Sequence, residues 1–217
     1  LKNIGLLIVD EEHRFGVSQK ERLKTFKEKL DVLSMSATPI PRSMNLALVG
    51  LYSISLLQTP PLMRRPIVTS IKYYNDKLIS AAIVFEVSRG GQLFFVHNDV
   101  LSIQHITNKL QEAHPDYNIL FVHGQESSKN IEKTMSLFVE GGVDVLVCTS
   151  IIEAGIDVEN ANCIIINNSH LFGLSQLYQI RGRVGRGSRQ AYAYLLVPQK
   201  MLLSTVAHSR LNTIVNN

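Results

Sequence analysis

Several things are scarce in this 217-residue sequence, and each scarcity removes a class of function. There are two cysteines, Cys148 and Cys163, both inside apolar strand-like runs and not spaced as metal-binding pairs. They read as buried free thiols of a reducing compartment, which excludes a disulfide scaffold. The seven histidines form no HExxH pair and no His/Cys cluster, so they build no metal centre. No apolar run approaches the roughly 18–20 residues that span a bilayer, and stretches such as Ile4–Val9 and Cys163–Ile166 are strand-sized. The sequence shows no signal peptide and no initiator Met, and Leu1-Lys2-Asn3-Ile4 runs straight into a strand pattern. It is therefore expected to be a piece of a longer cytoplasmic chain without a membrane partner. Finally, no Gly-Lys dipeptide occurs, so no Gx4GK[ST] phosphate loop is present.

What is present is an ordinary globular composition, 45% hydrophobic and 18% charged. The net charge of +4 lies wholly in residues 1–66, which hold 10 basic and 6 acidic residues, while residues 67–217 hold 12 of each. A basic balance of this size is weak support for a nucleic-acid partner. Only the cluster Arg181, Arg183, Arg186 and Arg189 is dense enough to point to an anion.

Short β-rich runs alternate with helical patterns. Ile4–Asp10 reads as a strand ending in a carboxylate, Ser18 and Glu21 as a capping box, and Val32–Ala37 as the next strand. A helix is expected after Pro41, and Ile54–Gln58 is a further apolar run. Three prolines within Thr59–Pro66 mark a linker, because proline fixes φ and cannot donate to a sheet. Beyond it, strands are expected at Ile67–Tyr74, Gln92–His97, Asn118–Val122, Val143–Cys148, Asn162–Asn167 and Ala191–Val197. The helices between them show the faces Leu78/Ala82/Phe85, Ile103/Ile106/Leu110 and Ile131/Met135/Phe138. Such alternation predicts an α/β fold with a doubly wound parallel sheet, whose ligands lie at the carboxyl ends of the strands. The polar segments there are Asp10–His13, Ser36–Thr38, Asn98-Asp99, His123–Gln125 and Thr149-Ser150.

Three of these segments carry chemistry. Asp10-Glu11 at a strand end suits a hydrated Mg²⁺ on the first carboxylate and activation of water by the second, or is simply a solvated acidic turn. Thr149–Asp157 is either a ligand loop or an ordinary strand-to-helix connection. In Gln179–Arg186, two glycines permit a tight turn, and Arg183 and Arg186, three apart, are expected on one side of a helical turn. Guanidinium forks suit phosphate oxygens, so the segment reads as arginine fingers, a nucleic-acid patch or a solvated basic turn.

Taken together, DEEH (10–13), SATPIPR (36–42), HGQ (123–125), TSIIEAGID (149–157) and QLYQIRGRVGR (176–186) resemble the ordered motifs of superfamily 2 helicases. The Gln-type last motif, HRFGV after DEEH, and ATPIPR narrow the resemblance to the group of transcription-repair coupling factors and RecG-type fork helicases. TPPLMRRP, FFVHNDV, ANCIIIN and RQAYAYLL look more like the coupling factors. The resemblance implies RecA-like architecture. Residues 1–61 would be the C-terminal part of a first lobe, 62–66 a linker, and 67–217 a complete second lobe. It also implies a parent protein that uses ATP and Mg²⁺ to move on double-stranded DNA. Asp10 would hold Mg²⁺ through water, Glu11 would be the general base, and Gln179, Arg183 and Arg186 would complete the catalytic set. Glu153, Gly155 and Asp157 would approach the nucleotide. Ser36, Thr38, Arg42, His123, Gly124, Gln125 and Thr149 would follow the DNA, Ser36 and Thr38 coupling it to the ATP site. Ala154 stands where this group commonly has Thr, and Ser36 and Ser43 also replace Thr. RNA polymerase and excision-repair proteins would bind the parent through other regions, in the bacterial cytoplasm. Without a phosphate loop, the chain by itself is expected to be inactive.

Overall fold

The computed structural model describes residues 4–10, 30–35, 53, 55, 57, 65–153, 157–199 and 203–216. The chain divides into two compact units, Leu1–Thr59 and Pro60–Asn217. The predicted helices after Ser18 and after Pro41 lie outside the described residues, as do most of Ile54–Gln58 and linker residues 62–64.

In the first unit, β1 (Leu6–Asp10) pairs in parallel with β2 (Asp31–Met35). Ile8 faces Leu33 across the ladder and Asp10 faces Met35. Side chains alternate between faces along a strand, so Leu6, Ile8, Leu33 and Met35 share one face. All four are exposed, whereas Val9 on the opposite face is buried.

The second unit is a six-stranded, wholly parallel sheet of order β3-β8-β7-β4-β6-β5. Its strands are β3 (Val68–Tyr73), β4 (Gln92–Val96), β5 (Ile119–Val122), β6 (Val145–Cys148), β7 (Ala161–Ile166) and β8 (Tyr192–Val197). Each lies within or close to its predicted run. The helices are α1 (Asp76–Ser88), α2 (Ile103–Ala113), α3 (Ser128–Val139), α4 (Leu174–Arg181) and α5 (Thr205–Val215).

Strand alternation creates two cores. Leu93 and Phe95 of β4 face Ile79, Ala82 and Ile83 of α1 and Ile103 and Leu110 of α2. Phe94 and Val96 face Met135 and Phe138 of α3, Leu177 and Ile180 of α4, and Leu211 and Ile214 of α5. Burial on both faces explains why β4, β6 and β7 are buried at every position and read as apolar runs interrupted only by Gln92 and Asn162. This is the RecA-like parallel sheet flanked by helices that the resemblance implied. The two cysteines lie in these cores as free, buried thiols, and burial pushes both thiol pKa values up.

The expected face of α1 is corrected. Ile79, Ala82, Ile83 and Glu86 point inward, while Phe85 is half exposed. The helix has apolar residues on most of its surface, so spacing alone did not fix its rotation. Phe85 instead meets the ring of Tyr192 edge-on, with centroids 5.7 Å apart.

Candidate functional site

Parallel strands bring their carboxyl ends to one edge, where the loops carry polar groups. In the first unit Asp10 is the last residue of β1 and its side chain is exposed. Glu11, Ser36, Thr38 and Arg42 lie outside the described residues, so of the expected carboxylate pair only Asp10 is described.

In the second unit the edge is better defined. His123 follows β5, and its backbone N–H donates to the Glu126 carboxylate at 2.9 Å while its ring stacks 5.9 Å from Phe121. Gly124 and Gln125 are exposed beside it, just before Ser127 caps α3. Thr149 is buried at the end of β6. Ser150–Glu153 forms one 3-10 turn, and the backbone N–H of Ser150 donates to Oδ1 of Asn98 at 3.4 Å. The Glu153 side chain and Gly155 lie outside the described residues.

The structure brings Asp157 and Arg186 together: Nη1 of Arg186 lies 3.1 Å from Oδ1 of Asp157. Both are solvent-accessible, so this contact joins the Thr149–Asp157 loop to the arginine segment without burying either charge. An exposed pair of this kind contributes at most about 1 kcal/mol and exchanges readily for another anion. Gln179 is buried in α4.

The four-arginine cluster is also corrected. Arg181 donates through Nη1 to the Ile214 carbonyl at 2.7 Å and lies 5.1 Å from the Tyr178 ring. Arg189 donates to the Arg89 carbonyl at 2.8 Å. These two hold the fold, whereas Arg183 and Arg186 are the pair that the resemblance names as anion ligands, and Arg186 meets Asp157. Nor do Arg183 and Arg186 lie on a helical turn. The α4 helix ends at Arg181, and residues 182–190 form an irregular loop. Gly185 reverses it at φ +72°, where an added Cβ would come within 3.0 Å of the Ala191 Cβ and 3.2 Å of the Ile67 Cγ1. Only glycine meets both demands without strain.

Sequence reasoning missed a polar chain at the ends of β4 and β7. The Asn167 amide lies 3.0 Å from Nδ1 of buried His97, whose Nε2 is 2.8 Å from the Ser102 hydroxyl. That hydroxyl donates to Asp99. If the Asn167 amide donates, Nδ1 accepts and Nε2 carries the proton. Burial holds the His97 pKa below the ordinary imidazole value, opposed by the nearby Asp99 charge. The available signal was a polar residue, His97 or Asn167, directly after four apolar residues in each of two strand runs.

Taken unit by unit, the described donors suit different parts of a nucleotide. Arg183 and Arg186 offer rigid cationic forks to phosphate oxygens. Asp10 offers one exposed hard-oxygen ligand, enough for an ion that keeps most of its waters. Among the described residues, no group of three or more metal-ligating side chains occurs. No described helix is long and apolar enough to cross a membrane.

Known proteins extend this picture. The chain is 49% identical over 213 residues to a transcription-repair-coupling factor of Staphylococcus epidermidis, which covers 98% of this chain and 18% of that protein. A chloroplastic ATP-dependent DNA helicase of Arabidopsis thaliana is 48% identical over 98% of this chain and 26% of its own length. The chain thus spans about a fifth to a quarter of these curated relatives. A solved structure of RecG on a three-way DNA junction superposes with a TM-score of 0.76 at 37% identity, covering all of this chain and 28% of that one. The pattern of the helicase conserved C-terminal domain matches residues 74–188, which run from the end of β3 through the arginine loop. That stretch is more than half of the chain and holds the Asp157–Arg186 contact, and the chain belongs to the helicase conserved C-terminal domain family.

Proposed function

We propose that the chain is motor machinery of an ATP-dependent translocase on double-stranded DNA that serves transcription-coupled repair in the bacterial cytoplasm. The observation that carries this reading is Arg186 on Asp157 at 3.1 Å, an exposed guanidinium held by a partner it can exchange for phosphate. The coupling-factor assignment is supported by relatives of that name at about half identity along nearly the whole chain.

ATP would supply the γ-phosphoryl group, and Mg²⁺ would neutralise charge on its oxygens. Asp10 would hold the hydrated ion through water, and Glu11 would take the proton of the attacking water. Arg183 and Arg186 would present their forks to the γ-phosphoryl oxygens, with Gln179 beside them, while Glu153, Gly155 and Asp157 would approach the nucleotide. Ser36, Thr38, Arg42, His123, Gly124, Gln125 and Thr149 follow the DNA backbone. RNA polymerase and excision-repair proteins engage regions outside this chain.

The sequence contains no Gly-Lys and hence no phosphate loop to cradle the β- and γ-phosphates. Calorimetric titration of the chain with Mg-ATP is therefore expected to be silent, and its ATPase rate unchanged by duplex DNA. The full-length protein is expected to hydrolyse ATP on duplex DNA, and Arg186→Ala to lower kcat by about 10³-fold or more. Turnover by the isolated chain would overturn this reading.

A second reading, a RecG-type remodeller of forked DNA, is favoured by the RecG superposition. Stimulation of the full-length ATPase by a three-way junction well above that by linear duplex would select it.

A further inference from the structure

Nine residues, Gly182 to Gln190, separate α4 from the segment that enters β8. The placement of its arginines depends on contacts within the loop, such as Arg186 with Asp157 and the buried Val184, and on how firmly its two roots are fixed. Arg181 fixes the first root through the Ile214 carbonyl. The second root is held by a separate device at the turn between α1 and β4.

That device begins with Glu86, a fully buried carboxylate in the last turn of α1. Its Oε2 accepts from Nε of Arg89 at 3.0 Å and also from Nη2. The same Nη2 donates at 2.8 Å to the carbonyl of Gln190, a hundred residues away. The guanidinium lies 5.1 Å from the Phe85 ring and 5.5 Å from the Tyr192 ring, so it is flanked by aromatics as well as ion-paired. The loop returns the contact, because Nη1 of Arg189 donates to the Arg89 carbonyl at 2.8 Å. Gln190 also reaches the Pro66 carbonyl at 2.7 Å, tying the root to the segment before β3.

The chain has made room for this clasp. A Cβ on Gly91 would lie 1.8 Å from Oε1 of Glu86, so the carboxylate occupies the space a side chain would take. Such an arrangement is costly for surface support alone. A buried carboxylate demands a partner, and Arg89 is the partner that carries its second donor to the loop.

We propose that Arg89, oriented by the buried Glu86 carboxylate, is a positioning residue that fixes the C-terminal root of the Arg183/Arg186 loop. It acts through the Gln190 carbonyl and touches no substrate. Its catalytic consequence rests on the reading of Arg183 and Arg186 as fingers, whereas its effect on the loop does not.

The test has two arms. In the chain itself, Arg89→Met keeps the aliphatic stem and removes every donor. Hydrogen exchange of the amides of residues 183–190 is expected to speed at least tenfold, with β4, β6 and β7 changing less than twofold. Glu86→Gln keeps the volume over Gly91 and removes the orienting charge, and should accelerate the same amides less. Acceleration spread evenly over the sheet, or an unchanged loop in both variants, would overturn the proposal.

In the full-length protein, Arg89→Met is expected to lower DNA-stimulated kcat about tenfold while the KM for ATP stays within twofold. Arg89→Lys should recover part of that loss. If Arg186→Ala abolishes hydrolysis and Arg89→Met leaves kcat intact, the positioning role is refuted. If Arg186→Ala itself has no effect, the finger reading fails instead, and the exchange arm still decides whether the clasp orders the loop.

Discussion

Single atoms decide which glycines matter. A Cβ at Gly91 would overlap Oε1 of Glu86 at 1.8 Å, and that carboxylate cannot swing away without breaking its pairing to Arg89. Gly91→Ala is therefore expected to destabilise the second unit by roughly 3 kcal/mol, combining overpacking with a disturbed buried pair. At Gly124 nothing lies within 4 Å of the same added atom, so Gly124→Ala should stay within about 0.5 kcal/mol. Urea unfolding of both variants checks the contrast, and equal losses would refute it. Histidine sets the acid limit. Burial holds His97, His114 and His170 below the ordinary imidazole range, with Asp99 opposing at His97 and Arg210 adding at His170. The folded chain thus stays unprotonated at these sites where the unfolded chain, titrating near 6.5, takes up protons. Stability is expected to be level above about pH 7 and to fall as pH drops through 6.5. Burial raises the Glu86 pKa against the pull of Arg89, which works in the opposite direction nearer the carboxylate range. Urea midpoints from pH 8 to 5.5 measure the slope, and His97→Gln should make it shallower.

At the scale of the element, α1 shows both what periodicity reveals and where it fails. Its limits were readable, since Asn75 caps the start by accepting from the Lys77 N–H at 2.9 Å and the Gly90-Gly91 pair closes the end. Its rotation was not, because Leu78, Ile79, Ile83, Val84 and Phe85 are all apolar and several faces compete. Ile83 is fully buried and Phe85 half exposed, so Ile83→Ala should cost about 3 kcal/mol and Phe85→Ala about 1 kcal/mol. A larger loss at Phe85, measured by urea unfolding, would restore the face that spacing suggests. The strands were legible for the converse reason: a strand covered on both sides is apolar along most of its length, as β6 is throughout and β4 and β7 are apart from Gln92 and Asn162 near their starts. Of the candidate site, the structure brings together Asp157 and Arg186, whose contact joins two segments chosen from sequence. Where long-range pairing decides, sequence was silent. Nothing local marks Arg181, at the end of α4, and Arg189, in the loop after it, as donors to distant carbonyls of the fold. Nor does an acidic residue in a helix reveal that, like Glu86, it is buried.

Among the described residues, the two units differ in the apolar surface they leave exposed, and that difference governs how the whole chain should behave in solution. The six-stranded sheet has a core on each face, drawn from its own helices, and its central strands are sealed. The β1–β2 ladder exposes Leu6, Ile8, Leu33 and Met35 together on one face, with relative exposures of 44–55%. An apolar row on a short parallel ladder is a template for association, both through the hydrophobic effect and through unpaired strand edges. The chain is accordingly expected to self-associate, and light scattering after size exclusion should show species larger than 24.3 kDa whose share grows with concentration. A double change, Ile8→Lys and Leu33→Lys, places like charges on directly opposed positions of that face and should return the chain to monomer. The urea transition of the second unit should be unchanged by it, because none of that unit's core residues is altered. A clean monomer at high concentration before any substitution, with the amides of β1 fully protected from exchange, would mean that this face is covered within the chain.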